Sequence, residues 1–270
     1  MMQGNIGQYV IENGFVNSEE HVHYNYRGKV IVYEVVRVMK GKLLFAEDHL
    51  NRLENSFIKS GLEVLPRQQV VDALQKCIEQ NNMEIGNVRI DAMYQGNQVS
   101  DWYIYQIKHN YPGASMTGKG VRVALCEAVR PDPEIKCFLR IHRLRIGEII
   151  ERTGVFEVLM HNEEGELTEG SRSNVFFVKG DKLITASASS VLNGITRQKV
   201  IALAKEQGID VEERIILKEE LNSFDAAFLT GTSINVLPIV KCDDILFDVN
   251  HPLMSRLSRL YLELIQSNIG

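Results

Sequence analysis

Residues 166–178 read ELTEGSRSNVFFV, and the fold of the second half of the chain turns on how they are read. NVFFV is β-branched and aromatic, the composition of a buried strand. The preceding GSRS is turn material, and two glutamates stand before it. A β-hairpin with a polar turn accounts for the pattern. Glu169 adds a requirement, because a carboxylate carried towards a core needs a partner or costs several kcal/mol. A ring nitrogen held protonated is one such partner.

Outward from this stretch, short strands recur at 121–126, 156–160, 182–185, 211–216, 226–230 and 236–240. Residues 144–152 and 196–207 read as helices, the latter with Thr196 as its cap and Gly208 just past its end. Residues 251–266 read as a closing helix with Pro252 in its first turn. Many short strands with few helices predict a closed or barrel-like α+β domain. Towards the N-terminus, residues 30–38 (VIVYEVVRV) form a strand that turns at Lys40-Gly41. Helices follow over 47–60 and 67–80, then strands over 88–94 and 102–107. That half is an antiparallel sheet with helices added. The polar run KHNYPGASMTGKG, at 108–120, separates the two. The expected domains are 1–110, a linker at 111–120, and 121–270.

Composition excludes more than it specifies. The 270 residues carry 30 Lys+Arg and 35 Asp+Glu, a net charge of −5, with 44% hydrophobic and 24% charged residues. These are ordinary globular values. A mildly acidic chain lacks the basic footprint of a nucleic-acid binder. Four scattered cysteines without CxxC spacing predict reduced thiols and no metal site. No membrane span or signal peptide is legible, so the expected location is the cytoplasm.

Four further stretches offer chemistry, each with a plainer alternative. In LNGITRQK (192–199) a glycine precedes a helix start, which is either an ordinary cap or an anion site. In LTGTSINVLP (229–238) a strand runs into hydroxyl and backbone donors, either a turn or one wall of a phosphate cup. In DHLNRL (48–53) Arg52 is either solvated or a phosphate clamp. In PDPEIKCFL (131–139) Lys136 sits in an apolar run. A lysine there either snorkels to water or, desolvated, becomes a nucleophile for carbonyls.

A Schiff-base lysine, a carboxylate for a ring nitrogen and a phosphate cup together are what pyridoxal phosphate requires. The sequence resembles the fold-type IV pyridoxal-phosphate enzymes, the class IV aminotransferases. These include branched-chain aminotransferases, D-amino-acid aminotransferases and aminodeoxychorismate lyase. The resemblance rests on EVVRV with its Lys-Gly hairpin, HLNRL, IK, LTEGSRSNVF, LNGITR and LTGTSINVLP, in that order. It implies an α+β, two-domain enzyme. A small N-terminal α/β sandwich and a larger C-terminal barrel-like α/β domain would flank a cofactor cleft.

By this resemblance Lys136 matches the lysine that bonds the cofactor, and Glu169 the glutamate on the pyridinium nitrogen. Arg52, Ile195, Thr196, Gly231 and Thr232 match the phosphate contacts, and Leu192 a residue packed on the ring. Asn174 and Arg197 match supporting positions. The implied reaction moves an amino group between a small amino acid, branched-chain or D-, and a 2-oxo acid by ping-pong steps. The runner-up is the lyase that releases pyruvate and 4-aminobenzoate; a third reading is a non-catalytic relative. A homodimer is implied too.

The family's Gly-Asp-Gly element is missing from YNYRGKVIVYEVVRV, where Tyr33-Glu34 replaces Phe-Glu. The family's substrate side is therefore altered. Tyr24, Tyr26, Tyr33, Arg89, Tyr94, Arg140 and Arg143 are the candidates for it.

Overall fold

The structure, a computed structural model, describes residues 2, 4–109, 111–138 and 140–270, with the side chains of 140–142 excepted. The chain divides into two compact units. The first holds Met1–Asn110 together with Ile135–Phe138 and Ser267–Gly270; the second holds Tyr111–Glu134 and Leu139–Gln266.

The first unit contains β1 (Asn5–Glu12), β2 (Phe15–Ser18), β3 (Val30–Met39), β4 (Lys42–Leu43), α1 (Ala46–Lys59), α2 (Arg67–Gln80), β5 (Ile85–Gln95) and β6 (Gln98–Ile107). Its six strands pair in the order β2-β1-β6-β5-β3-β4, all antiparallel. Lys40 and Gly41 both take positive φ (51° and 71°), the geometry of a two-residue hairpin. Asn13 and Gly14 do the same between β1 and β2 (51° and 88°). Leu50, Leu53 and Phe57 of α1 pack with Val70, Leu74 and Cys77 of α2 against Val32, Val38, Ile90 and Ile104 of the sheet. The other face carries Ile31, Tyr33, Met93, Tyr103 and Tyr105. Residues 135–138 extend this sheet. Tyr33 N–H donates to the Lys136 carbonyl at 3.0 Å, and Phe138 N–H to the Ile31 carbonyl at 2.9 Å.

The second unit contains α3 (Ala114–Lys119), β7 (Val121–Glu127), α4 (Arg140–Thr153), β8 (Glu157–His161), β9 (Glu166–Gly170), β10 (Asn174–Lys179) and β11 (Lys182–Thr185). Then come α5 (Ile195–Glu206), β12 (Asp210–Glu213), β13 (Ile216–Leu217), β14 (Ala226–Gly231), β15 (Asn235–Cys242), β16 (Ile245–Leu246) and α6 (Pro252–Ile269), whose last residues count with the first unit. Ten strands form one mixed sheet in the order β12-β11-β10-β14-β15-β7-β8-β9-β13, with β16 beside β15. The β11/β12, β15/β7 and β7/β8 pairs are parallel. Val175, Phe177, Leu229 and Leu237 lie at the centre of its core.

Three details differ from the sequence reading. The proline- and glycine-rich run over 111–120 contains α3, which packs on β15. Gly120 follows it at φ 71°, where a Cβ would fall 2.8 Å from Val249 Cγ1 and 3.0 Å from Val240 N, so a side chain has no room. Thr196 lies inside α5, and the cap position belongs to Gly194, which offers no side chain. The strand expected over 211–216 is divided between β12 and β13, which pair with different neighbours, β11 and β9.

Candidate active site

In the first unit the site is built around Glu34. The apolar alternation of β3 carries this carboxylate to the helix-covered face, where it is fully buried. Such a charge must be matched. His49 and Arg52, three residues apart on α1, face the same way. Arg52 grips Glu34 with two parallel bonds, Nε to Oε2 at 2.8 Å and Nη2 to Oε1 at 2.7 Å. His49 Nδ1 lies 3.2 Å from Oε1. Lys136, brought up by the 135–138 extension and 9% exposed, donates from Nζ to the same oxygen at 2.7 Å. Lys136 Nζ also lies 5.3 Å from the centroid of the Tyr33 ring.

The electrostatics follow from burial. Burial alone would raise the Glu34 pKa, but Arg52 and Lys136 hold it well below the ordinary carboxylate value. Burial pulls Lys136 down from the ordinary lysine value; Arg52 adds to that shift and Glu34 opposes it. Burial likewise lowers His49, which favours the neutral ring. The result is a lysine whose charged form burial disfavours, held 2.7 Å from a carboxylate oxygen that opposes the shift.

Arg89 sits close by on β5, in the register pair Val35↔Arg89. Its guanidinium carbon is 4.4 Å from the Tyr33 ring centroid and 5.4 Å from that of Phe138. Asp91, wholly buried, accepts from Arg89 Nε at 2.7 Å and from the Tyr105 hydroxyl at 2.6 Å. The Tyr24 hydroxyl donates to Asp91 as well. Burial together with Asp91 raises both tyrosine pKa values, so both phenols stay protonated. Tyr26 packs beside Tyr24 with ring centroids 6.0 Å apart and planes tilted by 49°. Tyr94 packs on Phe57 in the helix-side core and gives its hydroxyl to the Glu63 carbonyl. The Arg140 side chain lies outside the described residues.

In the second unit, Glu169 is 3% exposed near the end of β9. Arg130 Nε donates to Oε1 at 2.9 Å, and Leu192 N–H to Oε2 at 3.1 Å. Asn174 Nδ2 stands 3.4 Å from Oε2 and donates to the Leu192 carbonyl at 2.8 Å. Burial raises the Glu169 pKa; Arg130 and the Leu192 amide pull against that. Asn174 also backs the start of α5, since a Cβ at Gly194 would meet its Oδ1 at 2.2 Å. Ile195 and Thr196 are buried in the first turn of that helix. Thr230, opposite Asn174 in the β10/β14 register, leads into Gly231 and Thr232 at the β14–β15 turn. Among the described residues, the buried Thr230 hydroxyl has no hydrogen-bond partner.

The order of these pieces along the chain matches a known family. Residues 31–242 match the family model described as amino-transferase class IV. This chain is a class IV aminotransferase. It is 28% identical to a D-alanine aminotransferase of Listeria monocytogenes over 239 residues, covering 79% of this chain and 78% of that one. It is 26% identical to the D-alanine aminotransferase of Bacillus licheniformis, covering 78% of each. Its fold matches a branched-chain aminotransferase structure from Thermoproteus uzoniensis, at a TM-score of 0.86 and 24% identity, over 97% of this chain and 96% of that one. An Escherichia coli branched-chain aminotransferase structure matches at a TM-score of 0.85 and 24% identity, over 96% and 95%.

The structure thus groups Lys136, Arg52, Tyr33 and Arg89 in one unit of this aminotransferase. It groups Glu169, Leu192, the α5 start and the Gly231-Thr232 turn in the other. Sequence reasoning did not single out Glu34, His49, Asp91 or Arg130. A glutamate inside the apolar run VIVYEVVRV and an Asp inside VRIDAMY were the available signals, because a charge in a buried strand demands a counter-charge. Arg130 had no local signal; its partner is 39 residues away.

Proposed function

We propose that Lys136 is the covalent anchor and proton carrier of this aminotransferase, that Glu169 partners the cofactor ring, and that the substrates are a small amino acid and a 2-oxo acid. As a class IV aminotransferase the chain uses pyridoxal 5'-phosphate. One observation carries the assignment: Lys136 is a buried lysine whose burial opposes its charged form.

The residues present suit the cofactor. The second unit combines a carboxylate held at fixed orientation, a helix start with no side-chain cap, and a buried hydroxyl that has no partner among the described residues. A ring nitrogen, a phosphate and a further acceptor atom are complementary to these three. When bound, the cofactor supplies an electron sink for the pair released as a substrate Cα–H bond breaks. Lys136 Nζ, whose charged form burial disfavours, would take that proton and return it. Glu34 fixes where Nζ sits, and Arg52 balances the charge of Glu34. Glu169 would keep a proton on the ring nitrogen, with Arg130 and the Leu192 amide holding the carboxylate still. Thr196, the α5 amides, Gly231 and Thr232 would receive the phosphate.

Arg52, matched by resemblance to the phosphate, already gives two donors to Glu34. It would therefore act on Lys136 electrostatically as well as on the cofactor. Arg89, stacked on Tyr33 and pinned by Asp91, offers a fixed guanidinium for a substrate carboxylate. Relatives named for D-alanine and for branched-chain amino acids support a small apolar side chain on the substrate. No observation favours the lyase reading or the non-catalytic one. We read the assembly as a homodimer and the location as cytoplasmic; among the described residues no helix is long and apolar enough to cross a membrane.

Borohydride reduction of the holoenzyme followed by peptide mass mapping tests the anchor. The cofactor mass should appear on the peptide containing Lys136 and vanish in Lys136→Ala; the label on another lysine would refute the assignment.

A further inference from the structure

The buried stripe of α6 is Met254, Leu257, Tyr261 and Ile265, at the three- and four-residue spacing of a helix face. Three of the four are purely apolar. Tyr261 is only 1% exposed, so its hydroxyl is desolvated and must be hydrogen-bonded to be tolerated. Phenylalanine would serve if packing were the whole need. The hydroxyl lies 3.1 Å from Thr196 Oγ1, which is itself buried in the first turn of α5. These two groups, 65 residues apart, join the C-terminal helix to the helix start read above as a phosphate seat.

Each hydroxyl carries one proton. A phosphate oxygen only accepts. If Thr196 gives its proton to an anion, its oxygen must accept at its other contact, and Tyr261 is then the donor. The direction of the Tyr261–Thr196 bond is therefore set by what Thr196 binds. A donor behind Thr196 also makes Thr196 the better donor, since chained hydrogen bonds polarise one another.

We propose that Tyr261 is a positioning residue for cofactor retention: it donates to Thr196 Oγ1, fixes that rotamer and aims the Thr196 proton at the cofactor phosphate. The proposal rests on the reading of Thr196 as a phosphate contact. It ties the docking of α6 to the affinity for the cofactor, a link that neither residue shows alone.

The test is a double-mutant cycle on the dissociation constant for pyridoxal 5'-phosphate, measured by fluorescence titration of cofactor-free enzyme at a temperature where circular dichroism shows every variant folded. Tyr261→Phe should weaken binding roughly threefold to tenfold, the loss expected for one buried neutral hydrogen bond. Thr196→Val should weaken it at least as much, and adding Tyr261→Phe to Thr196→Val should change nothing further. Thr196→Ser, which keeps the hydroxyl, should retain most of the affinity and remain sensitive to Tyr261→Phe. The 31P resonance of the bound phosphate should move in Tyr261→Phe and should not move further when Tyr261→Phe is added to Thr196→Val. Unchanged affinity in Thr196→Val would sink the phosphate reading of Thr196. Weakened affinity in Thr196→Val with none in Tyr261→Phe would overturn the proposal alone. Equal losses from Tyr261→Phe with and without the Thr196 hydroxyl would overturn it too, because Tyr261 would then act through packing.

Discussion

Glu34→Gln probes the electrostatic centre of the smaller unit with almost no change of shape. Glu34 is fully buried and faces two cations, Arg52 at 2.7 Å and 2.8 Å and Lys136 at 2.7 Å. The Arg52 side chain is itself only 10% exposed. At an effective dielectric constant of about 20, charges some 4 Å apart attract by roughly 4 kcal/mol, so Glu34 offsets two interactions of that order. Removing one member of such a buried set leaves an unmatched cation and costs about 3–5 kcal/mol. For a chain of this size that is a fall in Tm of roughly 6–20 °C. The assay is thermal and urea unfolding of the cofactor-free protein at pH 7, so that cofactor loss does not enter. Adding Arg52→Met to Glu34→Gln should recover much of the loss, because the remaining Lys136 can shed its proton. Its pKa is already lowered by burial, and losing Glu34 lowers it further. A cost below about 1 kcal/mol for Glu34→Gln, or a double variant less stable than the single one by a similar amount, would refute the reasoning.

Arg130→Met removes the guanidinium on Glu169, whose pKa burial already raises. A carboxylate with a raised folded pKa costs stability as pH climbs above its unfolded value of about 4.5. The variant should therefore lose more stability at pH 7 than at pH 5, by urea unfolding; a loss equal at both would count against the pairing. Gly194→Ala keeps an ordinary φ of −61° but places a Cβ 2.2 Å from Asn174 Oδ1. It should cost about 1–3 kcal/mol of stability and weaken cofactor binding; a silent substitution would mean the helix start is not held against Asn174. Asp91→Asn leaves Arg89 without its counter-charge and gives the amide too few acceptors for Arg89, Tyr24 and Tyr105. It should lower Tm and raise KM for the amino acid more than it lowers kcat, whereas an unchanged KM would remove Arg89 from the substrate side.

Much of this was legible in the sequence because it is local. The Lys-Gly hairpin, the α2 span and the Asn174–Lys179 strand follow from short-range pattern and turn chemistry. The β1–β2 hairpin carried its own Asn-Gly signal at 13–14, but Asn5 to Ser18 mixes polar and apolar residues irregularly, so the strands did not stand out. The site divides the same way. Lys136 and Glu169 stood in recognisable motifs, whereas the groups that tune them arrive from far along the chain. Glu34 is 102 residues from Lys136, and Arg130 is 39 from Glu169. No sequence window holds both members of either pair. The location of Lys136 depends on a four-residue segment leaving the second unit's span to pair with β3, which only tertiary structure reveals.

The decisive measurement is a single-turnover half-reaction. The holoenzyme is mixed, with no amino acceptor present, with D-alanine, L-alanine and the L- and D-forms of leucine, valine and isoleucine in turn. For at least one of them the visible cofactor band should disappear with the release of one equivalent of the matching 2-oxo acid, and a second 2-oxo acid should restore it. Lys136→Ala should show neither change. A wild-type band that no amino acid alters, or turnover that survives in Lys136→Ala, would contradict an aminotransferase centred on Lys136.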